Sequence, residues 1–145
     1  PEFKGRDGCR TPMVWEASNQ NGGFSAGKPW LPVDTAHLAR SVAAQEGQAD
    51  AILHHYRRAI AMRKANAVLA RGAQHGLQAE GDVLSFLREC GADTLFCAFN
   101  MGDAPAEVSL PDGTWLQAAA DLGGAAPAGG KAALAPWQAC ILRKG

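Results

Sequence analysis

The chain has 145 residues, enough for one domain or for a small domain joined to part of another. Its 14 basic and 14 acidic residues cancel, so it lacks the basic excess of a nucleic-acid or acidic-membrane surface. Hydrophobic residues make up 47 % and charged residues 19 %, which allows a packed core, and no apolar run reaches the roughly 18 to 20 residues of a membrane span. The chain begins at Pro1 without a signal-peptide pattern, as expected of a piece of a longer protein.

Residues 1–33 hold Pro12, Pro29, Pro32, many glycines and the polar run Ser18 to Gly23, with no sustained period. They also carry Phe3, Trp15, Phe24 and Trp30, which a disordered linker would lack. A long irregular segment rich in aromatics reads as an ordered, functional loop packed on something else. Within it, Lys4-Gly5-Arg6-Asp7-Gly8-Cys9-Arg10 gathers two arginines, an aspartate and flexible glycines. Two readings stand: local Arg–carboxylate pairs that stiffen the loop, or an Arg fork that donates to substrate hydroxyls or to a partner carboxylate.

Residues 34–70 read as helical. A short turn is expected at 34–38, then a main helix over 51–65 with Asp50 as N-cap. Ile52, Leu53, Tyr56, Ala59, Ile60 and Arg63 recur at spacings of three and four and make one apolar stripe. No second long helix offers it a partner surface. From residue 72 onward, short strands are expected at 73–79, 83–88, 94–100, 106–110, 114–118, 131–134 and 139–143. Turn signals such as Glu80-Gly81-Asp82 and Pro111-Asp112-Gly113 separate them, which implies an antiparallel sandwich. So small an all-β part has a marginal core and should lean on a neighbour.

The catalytic inventory is thin. Cys9, Cys90, Cys97 and Cys140 contain no close ligand pair, so no zinc site is expected. Cys97 and Cys140 sit in apolar runs and read as small buried residues, a usage that suits a reducing compartment such as the cytoplasm. His54 and His55 are adjacent on a helix, about 100° apart, and cannot chelate one metal together. No phosphate loop and no GxSxG elbow is present. No cofactor, metal, nucleic acid or membrane is implied.

The run Gly5-Arg6-Asp7-Gly8-Cys9-Arg10-Thr11-Pro12-Met13-Val14-Trp15 resembles the "GRDGxRTPMPW" signature of α-glucosidases of the α-amylase superfamily, glycoside hydrolase family 13. Gly23-Phe24-Ser25 and Gly27-Lys28-Pro29-Trp30-Leu31-Pro32-Val33 match its next block, and Val42, Gln45 and Asp50 follow. Leu53…Tyr56-Arg57…Ile60…Met62-Arg63-Lys64 is similar to its "YR.LI.LRK" barrel helix. Leu134…Pro136-Trp137-Gln138-Ala139 resembles the end of its β-domain. Val14 departs from the family's usual Pro or Gln, a change expected to alter loop stiffness.

The resemblance implies an α+β fragment: residues 1–70 as the loop after strand 8 and helix 8 of a (β/α)8 barrel, and 71–145 as an antiparallel β-sandwich domain. It implies a retaining, exo-acting enzyme that hydrolyses terminal α-linked glucose from oligosaccharides. Such chemistry needs two carboxyl groups, and the family's lie in motifs upstream of this signature. No catalytic residue is carried over; Asp7 and Glu16 match neither role. Arg6 alone is transferable, as the arginine that hydrogen-bonds the non-reducing glucose. Two other readings stay open. One is a stand-alone carbohydrate-binding or structural β-module, which would expose coplanar aromatics, whereas Trp115 and Trp137 read as core residues. The other is a glucosyltransferase or sucrose isomerase with the same loop. The apolar stripe is expected to be covered by the remaining N-terminal part of the enzyme or by a second copy of the fragment.

Overall fold

A computed structural model describes residues 5–145; Phe3 and Lys4 lie outside the described residues. The chain divides into two compact units, residues 1–57 and 58–145, each taken by itself below. The helix Ile52–Ala65 runs through the division.

In the first unit a 3-10 turn at Asp7–Cys9 opens a largely irregular segment. Two short helices follow, α1 (Thr35–Leu38) and α2 (Val42–Glu46). Asp34 caps α1 by accepting the Ala36 amide at 2.8 Å, and Ser41 caps α2 by accepting the Ala44 amide at 3.2 Å. Helix α3 (Ile52–Ala65) starts one residue later than expected. Its cap also differs from the expected Asp50: the Leu53 amide donates to Oε1 of Gln45 at 3.1 Å. That side chain comes from the preceding helix, and its Nε2 donates to the Arg40 carbonyl at 2.8 Å. Arg63 and Lys64 occupy the last turn of α3, where they offset the helix dipole. Ile52, Tyr56 and Ile60 of the stripe are all at least half exposed.

In the second unit helix α4 (Ala67–Arg71) leads into eight strands. These are β1 (Ala73–Glu80), β2 (Val83–Cys90), β3 (Asp93–Asn100), β4 (Ala106–Ser109), β5 (Trp115–Gln117), β6 (Pro127–Ala128), β7 (Lys131–Leu134) and β8 (Ala139–Lys144). Every pairing is antiparallel. One sheet runs β1-β2-β3-β8-β5 and the other β4-β7-β6. The expected sandwich and seven of its strands are present, and β6 is an additional two-residue strand. Between the sheets, Phe96, Ala98, Trp115, Ala132, Leu134 and Leu142 form one buried cluster. On the other face of the large sheet, Leu95 and Cys97 pack with Val68 of α4.

Gly72 closes α4 against the sheet. A Cβ there would lie 2.4 Å from the Val68 carbonyl oxygen and 3.0 Å from that of Glu89, so no larger residue fits the junction. Trp137, expected in the core, is instead 70 % exposed and sits at a positive φ of 60°. It stands on the turn between β7 and β8, where its amide donates to the Gly102 carbonyl at 3.2 Å. Trp115 is buried as expected, and its indole N–H donates to the Pro111 carbonyl at 2.7 Å.

Asn100 ties these turns together. It is 2 % exposed. Its Nδ2 donates to the carbonyls of Ala104 at 2.8 Å and Ala135 at 3.0 Å, and its Oδ1 accepts the Gly102 amide at 3.0 Å. Asn100→Ala strands three backbone groups and should lower unfolding free energy by about 2–3 kcal/mol. Urea denaturation checks this against Glu107→Ala, which removes only an exposed ion pair with Lys131 and should change stability by no more than about 1 kcal/mol.

Candidate functional site

The loop that carries Arg6 is held by its backbone. The Arg6 carbonyl accepts from the Cys9 amide at 3.2 Å and from the Cys9 thiol at 3.0 Å. The Arg10 amide donates to the Asp7 carbonyl at 3.0 Å. These bonds fix the main chain and leave the side chains in solvent, for Arg6, Asp7 and Arg10 are all exposed. Among the described residues, neither arginine meets a carboxylate. The local-pair reading therefore has no support in the geometry, and the Arg6 guanidinium keeps its donors available.

Farther along, the loop docks on α2. The amides of Val42 and Ala43, two of the four a helix start leaves unpaired, donate to the carbonyls of Val14 at 3.1 Å and Trp15 at 3.0 Å. The Trp15 and Glu16 amides both donate to the Gly22 carbonyl, at 2.8 and 3.0 Å. Gly22 has a positive φ of 63°, and a Cβ on it would lie 3.0 Å from a Val14 methyl. Asn21, also at positive φ, donates through Nδ2 to the carbonyls of Ser25 at 2.9 Å and Gly27 at 2.8 Å. The result is a closed loop around a concavity of about 450 Å³, lined by Asn19, Asn21, Lys28, Pro29, Trp30 and Pro32 among others. Sequence reasoning did not assemble these residues. The aromatics of the segment were the available signal, and Met13, Trp15, Phe24 and Trp30 are all at least half exposed.

No group of three or more potential ligands that could hold a metal occurs among the described residues. On α3, His54 Nε2 lies 3.2 Å from the Glu46 carbonyl. Arg57 forks onto the Glu46 carboxylate at 2.6 and 2.8 Å, which holds that carboxyl below the usual range and the guanidinium above its own. The pair is exposed and braces α2 on α3.

Residues 1–72 match the family model described as alpha amylase, catalytic domain. The chain belongs to the alpha-amylase family of glycoside hydrolases and corresponds to a C-terminal part of such an enzyme. It is 54 % identical over 111 residues to a probable alpha-glucosidase of Rhizobium meliloti (strain 1021), a match covering 77 % of this chain and 20 % of that protein. It is 33 % identical over 112 residues to an oligo-1,6-glucosidase of Parageobacillus thermoglucosidasius, covering 76 % and 20 %. Its fold superposes on the crystal structure of the alpha-glucosyl transfer enzyme XgtA with a TM-score of 0.87 and 36 % identity, over 100 % of this chain and 27 % of that one. The chain thus spans about a fifth of the length of the curated relatives it matches.

Strongly shifted thiols occur in the second unit. Burial pushes both Cys97 and Cys140 up from 9.0 to about 11. Both therefore stay neutral at pH 8, while Cys9 is exposed. Iodoacetamide at pH 8 should alkylate Cys9 well before Cys97 or Cys140, as peptide mass spectrometry will read. The sign of the linkage is fixed by the same shift. The unfolded thiols ionise near 9 and the folded ones near 11, so their contribution is full below pH 9 and falls between 9 and 11. Urea midpoints over that window should decline, and less steeply in Cys140→Ser.

Proposed function

We propose that this chain is the C-terminal portion of a retaining, exo-acting α-glucosidase that releases terminal α-linked glucose from oligosaccharides. Residues 1–70 supply the loop after the last barrel strand and the last barrel helix, and 71–145 the β-domain. The 54 % identity to a probable alpha-glucosidase carries the reading. It is supported by the unpaired guanidinium of Arg6 within the family's signature. Arg6 donates to hydroxyls of the non-reducing glucose and so selects a chain end. The two carboxyl groups that retaining hydrolysis requires belong to the preceding part of the enzyme, which also covers Ile52, Tyr56 and Ile60; a second copy of the chain is the alternative cover. The reaction needs no cofactor. Four unpaired cysteines suit a cytoplasmic setting, and no helix among the described residues is long and apolar enough to cross a membrane.

A second reading, glucosyl transfer in place of hydrolysis, is favoured by the likeness to the alpha-glucosyl transfer enzyme. It uses the same loop and differs in whether water or a sugar takes the glucosyl group. A stand-alone sugar-binding β-module draws on the exposed Trp137 alone.

In the full-length enzyme Arg6→Ala should lower kcat/KM for an α-glucoside about ten- to a hundred-fold, since a hydrogen bond from a charged group contributes roughly 1.5–3 kcal/mol. An unchanged kcat/KM would reduce Arg6 to a loop residue. The 145-residue chain alone should release no p-nitrophenol from p-nitrophenyl α-glucoside; release by protein free of host glucosidase would contradict the assignment of the carboxylates.

A further inference from the structure

We infer that Gln45 is a positioning residue: it fixes the loop that carries Arg6 to the start of α3, and so sets where the Arg6 guanidinium meets the sugar; this rests on the proposed function. Both ends of its carboxamide are engaged. Oε1 accepts the Leu53 amide at 3.1 Å, and Nε2 donates to the Arg40 carbonyl at 2.8 Å. The partners decide which way the amide faces, since an N–H needs the oxygen and a carbonyl needs the NH2 group. Leu53 stands in the first turn of α3, where amides lack a partner within the helix. Arg40 stands just before Ser41, the cap of α2. One half-buried side chain thus ties the approach to α2 to the first turn of α3.

The other end of α2 holds the loop. Its Val42 and Ala43 amides donate to the Val14 and Trp15 carbonyls, the last two residues of the segment that begins at Gly5. A helix of five residues rises only about 7.5 Å, so the two sets of bonds are one short step apart. Such a helix keeps its place only through what holds its ends. Glu46 adds a second brace to Arg57, but that ion pair is exposed and screened by solvent.

Between Val14 and Arg6 the chain has little slack. Pro12 and Val14 are buried. Pro12 fixes its own φ and confines Thr11 to extended geometry. The Cys9 and Arg10 amides close the turn on the carbonyls of Arg6 and Asp7. A shift of α2 is therefore passed on to Arg6 and not absorbed on the way. A positioning residue can cost no more than the group it positions, so the loss of Gln45 is bounded by the loss of Arg6.

The test is a double-mutant cycle in the full-length enzyme, with p-nitrophenyl α-glucoside as substrate. Gln45→Met keeps the length of the side chain and removes both bonds. It should lower kcat/KM about three- to tenfold in the wild-type background and less than about 1.5-fold in the Arg6→Ala background. A merely structural role would give the same loss in both; equal losses, or none, overturn the inference and leave the glucosidase reading standing. Should Gln45→Met not fold, Gln45→Glu takes its place in the same cycle. It keeps the acceptor for Leu53, and a loss of about two- to fivefold, again confined to the Arg6 background, is expected. If Arg6→Ala alone changes nothing, the reading of Arg6 falls instead, and hydrogen exchange decides Gln45. The peptide spanning residues 41–53 should then exchange faster in the variant while that of β3 is unchanged, and unchanged exchange in 41–53 overturns the inference.

Discussion

Strand β3 is apolar on both faces, and the arrangement of residues 58–145 follows from the need to cover the two of them. Leu95, Cys97 and Phe99 point one way and Phe96 and Ala98 the other, as the two-residue period of a strand requires. A strand of this kind cannot lie at an edge. It is flanked by β2 and β8, and covered by the small sheet on one face and by α4 on the other. Ala98 and Cys140 are register partners, and both are fully buried. Two small side chains opposite each other let the facing sheet approach closely. The same burial keeps the Cys140 thiol protonated well above neutrality.

The first unit meets a different constraint. Helices of four and five residues are too short to stand alone in water. They persist because the loop supplies what they lack: Val14 and Trp15 accept the first amides of α2, and Ser41 accepts another. The loop in turn gains fixed points for its carbonyls. Hydrogen bonding of main chain to main chain does here the work that an apolar core does in the sandwich.

Most of the β-unit was legible because alternation and turn residues are local signals. Leu95, Cys97 and Phe99 announce a strand, and Asp93 and Asn100 bound it. The two-residue β6 carries too few side chains to show a period and opens on a proline. Asp50 looked like a cap because cap statistics see only the residues next to a helix. The group that serves Leu53 belongs to Gln45, eight positions away on another helix. Trp137 reads as a core residue because large aromatics are so often buried, whereas its positive φ puts it on the turn between β7 and β8. Arg6 was legible only through a resemblance, since an exposed arginine in a loop has no periodic signature. Trp30, Asn19 and Lys28 are spread over twelve residues without period, and only the closure of the loop by Asn21 brings them to one concavity.

The kind of chemistry this chain can contribute follows from which of its groups are perturbed. Strongly shifted ionisable groups mark proton-transfer sites when they converge in a cleft. Here the large shifts fall on Cys97 and Cys140, and plain burial between strands explains both. The Glu46–Arg57 pair is displaced by its own mutual hydrogen bonds. The loop offers groups of another sort: a guanidinium that stays protonated in proteins, a carboxamide and an indole. None of them trades a proton near neutral pH. Under the proposed glucosidase reading, such a set binds sugar hydroxyls and positions them for carboxylates of the preceding part of the enzyme, so that recognition and proton transfer lie in different stretches of the sequence. A loop fixed by its backbone can then vary in side chains, and so in which sugars it accepts, without disturbing the groups that break the bond.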